Sequence, residues 1–231
     1  MAPEQALARL AKALRLMQSA SAPGQHPRAA SASLARRASP FTGYDVRQFA
    51  PSPWLAADQP RWQPLSRVRA PAPVTGWLAD AGSLTHRLRK LGDFRVHPLQ
   101  QRIAPPTAQE ARLLGLPPRR AALIREVCLH VDDVPVVYAR SVLPLASLRG
   151  ANRVLGHMAR RSLGAELFRR PGAQRCAVWA ATFPPETLPV AAGDMPAWGR
   201  QSLFRKRGQP LLVAEVFLSA LWPLSDRATA P

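Results

Sequence analysis

The sequence predicts an α+β fold, in which helices pack on an antiparallel sheet, and three observations support this. Apolar residues alternate along two pairs of segments, and a short turn joins the members of each pair. Elsewhere the apolar residues recur at helical spacing. Strands this close in sequence pair antiparallel, because a parallel pair needs a long crossover connection.

The two hairpins are the clearest elements. The first spans 123–143 and turns at Asp132-Asp133, and apolar residues alternate on both of its arms. The second spans 198–219 and turns at Gly208-Gln209-Pro210, which are residues typical of turns. Further strands are predicted at 94–103 and 175–182.

The helical signals are short. Helical spacing between Trp77 and Leu91 is interrupted at Gly82-Ser83, which predicts either two helices, the second capped by Ser83, or one bent helix. Thr107 and Glu110 have the spacing of a capping box, and we expect that brief helix to end at Pro117-Pro118. A mixed helical region is expected at 145–168, and a proline-rich loop leads to Pro196.

The first 60 residues differ in composition from the rest. One amphipathic helix is predicted at 4–18, and the following Ala, Ser, Pro, Gly and Arg residues offer little periodic apolar surface. We therefore predict a mostly disordered extension at 1–60 and a folded domain at 61–226. The first 40 residues also resemble an arginine-rich targeting peptide, although a dispensable tail is the simpler interpretation.

The formal net charge of +18 does not by itself indicate nucleic-acid binding. The basic residues are spread along the chain, and only Lys12, Lys90 and Lys206 are lysines, as GC-rich coding produces. No basic stripe with interleaved aromatic residues is present, so we expect no nucleic-acid partner. No segment has the roughly 20 apolar residues of a membrane helix, so no integral membrane segment is expected.

Several standard sites are absent from the sequence. The five histidines lack metal-ligand spacing, and neither a nucleophile-elbow motif nor a phosphate-binding loop occurs. Cys128 and Cys176 are the only cysteines, and no signal peptide precedes them, which favours a reducing cytoplasm over a disulfide framework. A monomer is the default expectation.

Two charges stand on apolar strand faces. Residues two apart share a face, so Arg125 lies among Leu123 and Val127, and Glu215 lies among Val213 and Phe217. An isolated ion there would be costly, so each needs a partner. They could form a buried ion bridge with each other or with a neighbour such as Glu126. Arg125 could also point outward, if Ile124 and Cys128 form the core face instead. Alternatively they face a shared cavity that binds a small hydroxy acid.

Four blocks in this chain together resemble chorismate pyruvate-lyases. The resemblance covers roughly two-thirds of the chain, and the order and spacing of the blocks agree with the family. They are Leu123-Ile124-Arg125-Glu126-Val127, the run 162–168 (SLGAELF), Trp198-Gly199-Arg200-Gln201-Ser202, and the run 210–218 (PLLVAEVFL).

The resemblance implies cleavage of chorismate to 4-hydroxybenzoate and pyruvate, the first committed step of ubiquinone biosynthesis, without a cofactor. It implies a fold in which helical flaps cover a buried ligand cavity. By position, Arg125 would hold the ring carboxylate and Glu215 would engage the ring hydroxyl. Leu163 and Leu84 fall at ligand-contacting positions, where Leu84 replaces a usual methionine, so a contact there would use the backbone.

Two further points follow from the resemblance. Arg200 or Arg205 could bind the side-chain carboxylate of the substrate, although each is more simply a solvated strand residue. The stretch 169–196 looks longer than its counterpart, so it could reshape the cavity rim. The rival interpretation is a non-catalytic small-molecule-sensing domain of the same fold, as in bacterial transcription regulators. Residues 1–60 do not supply the winged helix that such regulators carry.

Overall fold

The computed structural model describes Trp54 and residues 60–158 and 161–229. The predicted extension at 1–60, with its helix at 4–18, therefore lies outside the described residues apart from Trp54 and Pro60. In the described part of the chain, no helix is long and apolar enough to cross a membrane.

A seven-stranded antiparallel sheet in the order β1-β5-β6-β7-β4-β3-β2 organises the fold, and helices pack on it, so the predicted α+β class is confirmed. The strands are β1 (Gln63–Pro64), β2 (Phe94–Ala104), β3 (Ala122–Val131), β4 (Val134–Pro144), β5 (Gln174–Phe183), β6 (Ala197–Lys206) and β7 (Gln209–Phe217). The α-helices are α1 (Ala72–Leu78), α2 (Leu84–Arg89), α3 (Ala108–Leu114), α4 (Leu163–Phe168) and α5 (Leu221–Thr229). Short 3-10 helices cover Leu65–Arg67, Leu145–Leu148, Gly150–Gly156 and Pro185–Thr187.

Both predicted hairpins form. Asp132 and Asp133 have φ of 49° and 62°, the left-handed pair that lets a two-residue turn follow the twist of β3 and β4. In the second hairpin the turn consists of Arg207 and Gly208, with φ of 52° and 77°. The predicted turn at 208–210 was therefore displaced, because Gln209 and Pro210 already pair with β6 as the start of β7.

The helix boundaries follow their caps. Ser83 accepts a hydrogen bond from the His86 amide, so the interrupted pattern is two helices rather than one bent helix. The capping box of Thr107 and Glu110 is present at α3. That helix ends at Gly115, whose φ of 64° closes it before the prolines are reached, which corrects the predicted stop at Pro117-Pro118. Neither α5 nor the short β1 was predicted.

The central strands are buried on both faces, and all ten residues of β3 are buried. On one face α1 and α2 pack through an apolar cluster with Trp77 and Leu88 at its centre. On the other face Trp54 and Phe183 lie against Tyr138 and Cys128. Both faces of β3 are therefore core faces. Arg125 lies on one of them, and Ile124 lies on the other.

A buried ion network lies on the Trp54 side of the sheet. Arg140 on β4 donates from Nε and Nη2 to Glu110, at 2.8 and 3.0 Å, and from Nη1 to Glu126 at 2.6 Å. Burial alone would lower the pKa of Arg140, but hydrogen bonds and charges of the two carboxylates raise it overall. Tyr138 donates to Glu126 at 2.7 Å and accepts from Trp54 at 3.1 Å. The network links α3 to the sheet. In it the Glu126 carboxylate is paired with Arg140, a different arginine from Arg125.

Replacing Arg140 with methionine should destabilise the fold strongly, because Glu110 and Glu126 would face each other in the core without a cation. We expect a loss of about 3–5 kcal/mol in the free energy of unfolding, measured by urea denaturation. The exposed Arg120 provides a matched control, and R120M should change stability by less than about 0.5 kcal/mol. Equal losses in the two variants would show that the network contributes nothing specific.

Candidate active site

Strand register brings Arg125 and Glu215 to the same face of the sheet. Arg125 pairs with Ser141 on β4, and Ser141 pairs with Val213 on β7, two residues before Glu215. Residues paired across an antiparallel sheet point to the same side, as do residues two apart on one strand. Both charges therefore lie on the face covered by α1 and α2.

Glu215 forms its ion pair with Arg200 rather than with Arg125, the partner that strand alternation suggested. Arg200 on β6 donates from Nε to Oε2 of Glu215 at 2.6 Å, and its side chain is 1% exposed. Its Nη1 donates to the carbonyls of Trp77 and Asp80, at 2.8 and 2.9 Å. The expectation that Arg200 is a solvated strand residue was wrong, because the carbonyls and the carboxylate solvate it inside the protein. Arg205 is exposed, as expected.

Arg125 is 3% exposed and lies close to the segment before α4. Its Nη2 donates to the Arg161 carbonyl at 3.0 Å. Burial lowers the pKa of Arg125 to about 10, which still leaves the guanidinium charged at neutral pH. This cation therefore has the charge and the fork of donors that recognise a carboxylate.

The two leucines predicted as contacts each begin a helix. Leu84 is the first residue of α2 and Leu163 the first residue of α4, and both side chains are buried. The hydroxyls of Thr85 and Ser162 hydrogen-bond to each other, so the two helix starts meet. A Cβ at Gly164 would lie 2.7 Å from the Thr85 hydroxyl, which explains why glycine suits this close approach.

Arg175 is a charged residue of this face that the sequence-based prediction missed. It is the second residue of β5 and pairs with Phe204 on β6. The central carbon of its guanidinium lies 5.0 Å from the centre of the Phe204 ring. Its Nη1 donates to the Asp80 carbonyl at 2.6 Å, the same oxygen that Arg200 contacts. Burial, and then the charge of Arg200, lower the pKa of Arg175. Arg175 is the first residue of the predicted strand 175–182, where the local pattern gives no signal for a functional charge. Only the long-range contact with Asp80 could have revealed it.

The face can therefore bind acids. Arg125, Arg175 and Arg200 are cations on it, and Glu215 both neutralises Arg200 and offers a carboxylate to a hydroxyl donor. Among the described residues no three His, Cys, Asp or Glu side chains come together as a metal site. The chemistry available here is recognition by charged hydrogen bonds in a buried setting.

Comparison with solved structures finds only distant likenesses. PhnF from Mycobacterium smegmatis is 17% identical with a TM-score of 0.48, over 62% of this chain and 66% of that one. Its effector domain gives 17% identity and a TM-score of 0.46, over 60% of this chain and 90% of that one. These values are too low to bear on function.

Comparison with known sequences is far more specific. A probable chorismate pyruvate-lyase of Alcanivorax borkumensis is 57% identical over 164 residues, which are 70% of this chain and 76% of that protein. One of Aromatoleum aromaticum is 43% identical over 173 residues, covering 68% of this chain and 91% of that protein. The family model described as chorismate lyase matches residues 56–227, which include every site residue described above. The chain belongs to the chorismate lyase family.

Proposed function

We propose that this protein cleaves chorismate into 4-hydroxybenzoate and pyruvate, the first committed step of ubiquinone biosynthesis, and needs no cofactor. The observation that carries the proposal is the family match over residues 56–227, which spans the buried face bearing Arg125 and Glu215. The catalytic domain is assigned to residues 61–226. The stretch 169–196 contributes to the rim of the site.

In this proposal Arg125 holds the ring carboxylate of chorismate. Its burial supports the assignment, because a guanidinium away from water binds a carboxylate more strongly than a solvated one does. Its contact with the Arg161 carbonyl also fixes one end of the guanidinium, so that less conformational freedom is lost when the substrate binds.

Glu215 accepts a hydrogen bond from the ring hydroxyl. Arg200 engages Oε2 of Glu215, and a carboxylate has lone pairs on both oxygens for further donors. Because Arg200 is bonded to two carbonyls as well, the carboxylate cannot swing away from this position without breaking a buried ion pair. Arg200 thus acts as a positioning residue for Glu215.

The helices α2 and α4 form the flaps over the substrate, and Leu84 and Leu163 contact it through their backbones. Support comes from their positions at the helix starts, where the amides have no acceptor within the helix. The buried side chains of both leucines pack into the protein, which leaves the backbone as the contacting group.

The reaction needs little covalent help from the protein, because the ring becomes aromatic. The carbon–oxygen bond to the enolpyruvyl group breaks, and the ring hydrogen moves to the methylene carbon of that group, which leaves as pyruvate. The residues hold the ring so that this hydrogen and this carbon are adjacent in a water-poor site. Arg125 balances the charge that redistributes in the transition state.

Both cysteines are free thiols, which suits the proposed cytoplasmic location. Burial raises the pKa of Cys128 to about 12, so this thiol stays protonated and inert. We propose that the protein acts as a monomer, and light scattering coupled to size-exclusion chromatography measures its mass directly.

Arg125→Ala and Glu215→Gln should each lower kcat/KM for chorismate by about 10- to 100-fold, because each removes a charged hydrogen bond to the substrate. The measurement is release of 4-hydroxybenzoate, with circular dichroism to confirm folding. The exposed Arg205 supplies the control, and R205A should retain wild-type activity. Near wild-type activity in folded R125A and E215Q would show that the site lies elsewhere.

Product inhibition by 4-hydroxybenzoate is expected, since an enclosed aromatic product leaves slowly and retains the contacts proposed for Arg125 and Glu215. Initial rates measured with increasing added 4-hydroxybenzoate should fall, and R125A should be less sensitive than wild type. Rates that do not respond to added product would contradict an enclosed site.

A further inference from the structure

Arg175 is a cation of the site face that has no ion pair with a carboxylate of the described residues. Arg200 and Glu215 neutralise each other through their 2.6 Å contact. The acidic groups near Arg175 are already engaged, Glu215 by Arg200 and Asp80 by Arg87 at 3.1 Å. An anionic group of a ligand would give the Arg175 guanidinium the partner that these carboxylates do not supply.

The position of Arg175 is fixed from two sides. Its guanidinium lies over the Phe204 ring and donates to the Asp80 carbonyl, so it points back along the sheet towards Arg200. A guanidinium held in this way loses little conformational entropy when it binds an anion. The arginine is therefore pre-organised beside the Glu215 carboxylate rather than extended into solvent.

Two polar atoms on this face lack a partner among the described residues. The Nε of Arg175 is buried without a hydrogen bond, and so is the hydroxyl of Ser202, which is fully buried. Ser202 lies on β6 between Arg200 and Phe204, with its side chain on the same face by register. Buried donors of this kind are rarely left unsatisfied in a working protein.

Arg125 and Arg175 lie on opposite sides of Glu215 across the sheet. Arg125 on β3 and Ser202 on β6 lie in one register row, separated by β4 and β7. Three strand spacings correspond to about 14 Å between backbones. Arg175 lies on β5, one strand beyond Ser202 and opposite Phe204, so the two arginines reach this face from strands on either side of β7.

We infer that Arg175, with Ser202 on the same face of the sheet, binds the enolpyruvyl carboxylate of chorismate, while Arg125 binds the ring carboxylate. This assignment rests on the proposed function. It gives each substrate carboxylate its own arginine and leaves Arg200 to position Glu215. It also replaces Arg200 and Arg205 as candidates, because the first is committed to Glu215 and the second is exposed.

The assignment separates substrate from product. The enolpyruvyl carboxylate leaves with pyruvate, so bound 4-hydroxybenzoate makes no contact with Arg175. Loss of Arg175 should therefore weaken chorismate binding and leave 4-hydroxybenzoate binding unchanged. A purely structural role, in which Arg175 only ties down the Asp80 segment, would weaken both ligands together.

The test compares two unreactive probes on the full chain, 3-(carboxymethoxy)-4-hydroxybenzoate and 3-ethoxy-4-hydroxybenzoate, which differ by the second carboxylate. Wild type should bind the first about 10- to 100-fold more tightly, the range of one charged hydrogen-bonded contact. In R175Q the two affinities should become equal within about threefold, and R175K should be intermediate because it keeps the charge. R205Q removes the same charge from an exposed position on the adjacent strand and should keep the wild-type ratio.

Several outcomes would overturn the assignment. They are a wild-type ratio near one, a ratio that survives in R175Q, or an equal loss of 4-hydroxybenzoate affinity in that variant. If R175Q fails to fold, R175K supplies the variant comparison, and a wild-type ratio near one still overturns the assignment. Failure of the proposed function is distinct, because wild type would then release no 4-hydroxybenzoate from chorismate at all.

Discussion

The ion pair between Arg200 and Glu215 is the contact on which the site depends. Arg200 is almost fully buried, and within the described part of the chain its hydrogen bonds go to that carboxylate and to the carbonyls of Trp77 and Asp80. It thereby joins β6 and β7 to the end of α1 and the segment that follows. The same Asp80 oxygen then fixes Arg175, so one buried cation positions the acid, the second cation and the covering helices.

The two faces of the sheet use buried arginines in opposite ways. Arg140 has two carboxylates around it and a complete set of donors and acceptors, which is the stoichiometry of a structural network. On the other face Arg175 has no ion pair with a described carboxylate, and its Nε has no hydrogen-bond partner among the described residues. Burial alone therefore does not separate the two kinds of arginine in this fold, whereas ion pairing does distinguish Arg140 from Arg175.

Strand alternation was enough to predict the two hairpins and to place Arg125 and Glu215 on apolar faces, because that period is local. It could not say which arginine pairs with Glu215, since the answer depends on which strands are neighbours. Arg175 was missed for a related reason. A register irregularity follows it on β5, and its fixing contact is with Asp80, far away in the sequence. The contacts proposed for Leu84 and Leu163 rest on the family resemblance, since Leu84 by pattern is an ordinary core residue.

The contacts of Arg200 also set an order of assembly. Glu215 is 15 positions away along one hairpin, whereas Trp77 is 123 positions away, and Asp80 is 95 positions from Arg175. Short loops close at a smaller entropic cost than long ones, so the hairpin that bears the ion pair forms with little help from the rest of the chain. During synthesis on the ribosome, however, α1 and α2 emerge before the hairpin. More than a hundred further residues must be added before Arg200, the partner of the Trp77 carbonyl, is synthesised. The cover of the site is thus synthesised long before the strands that it covers.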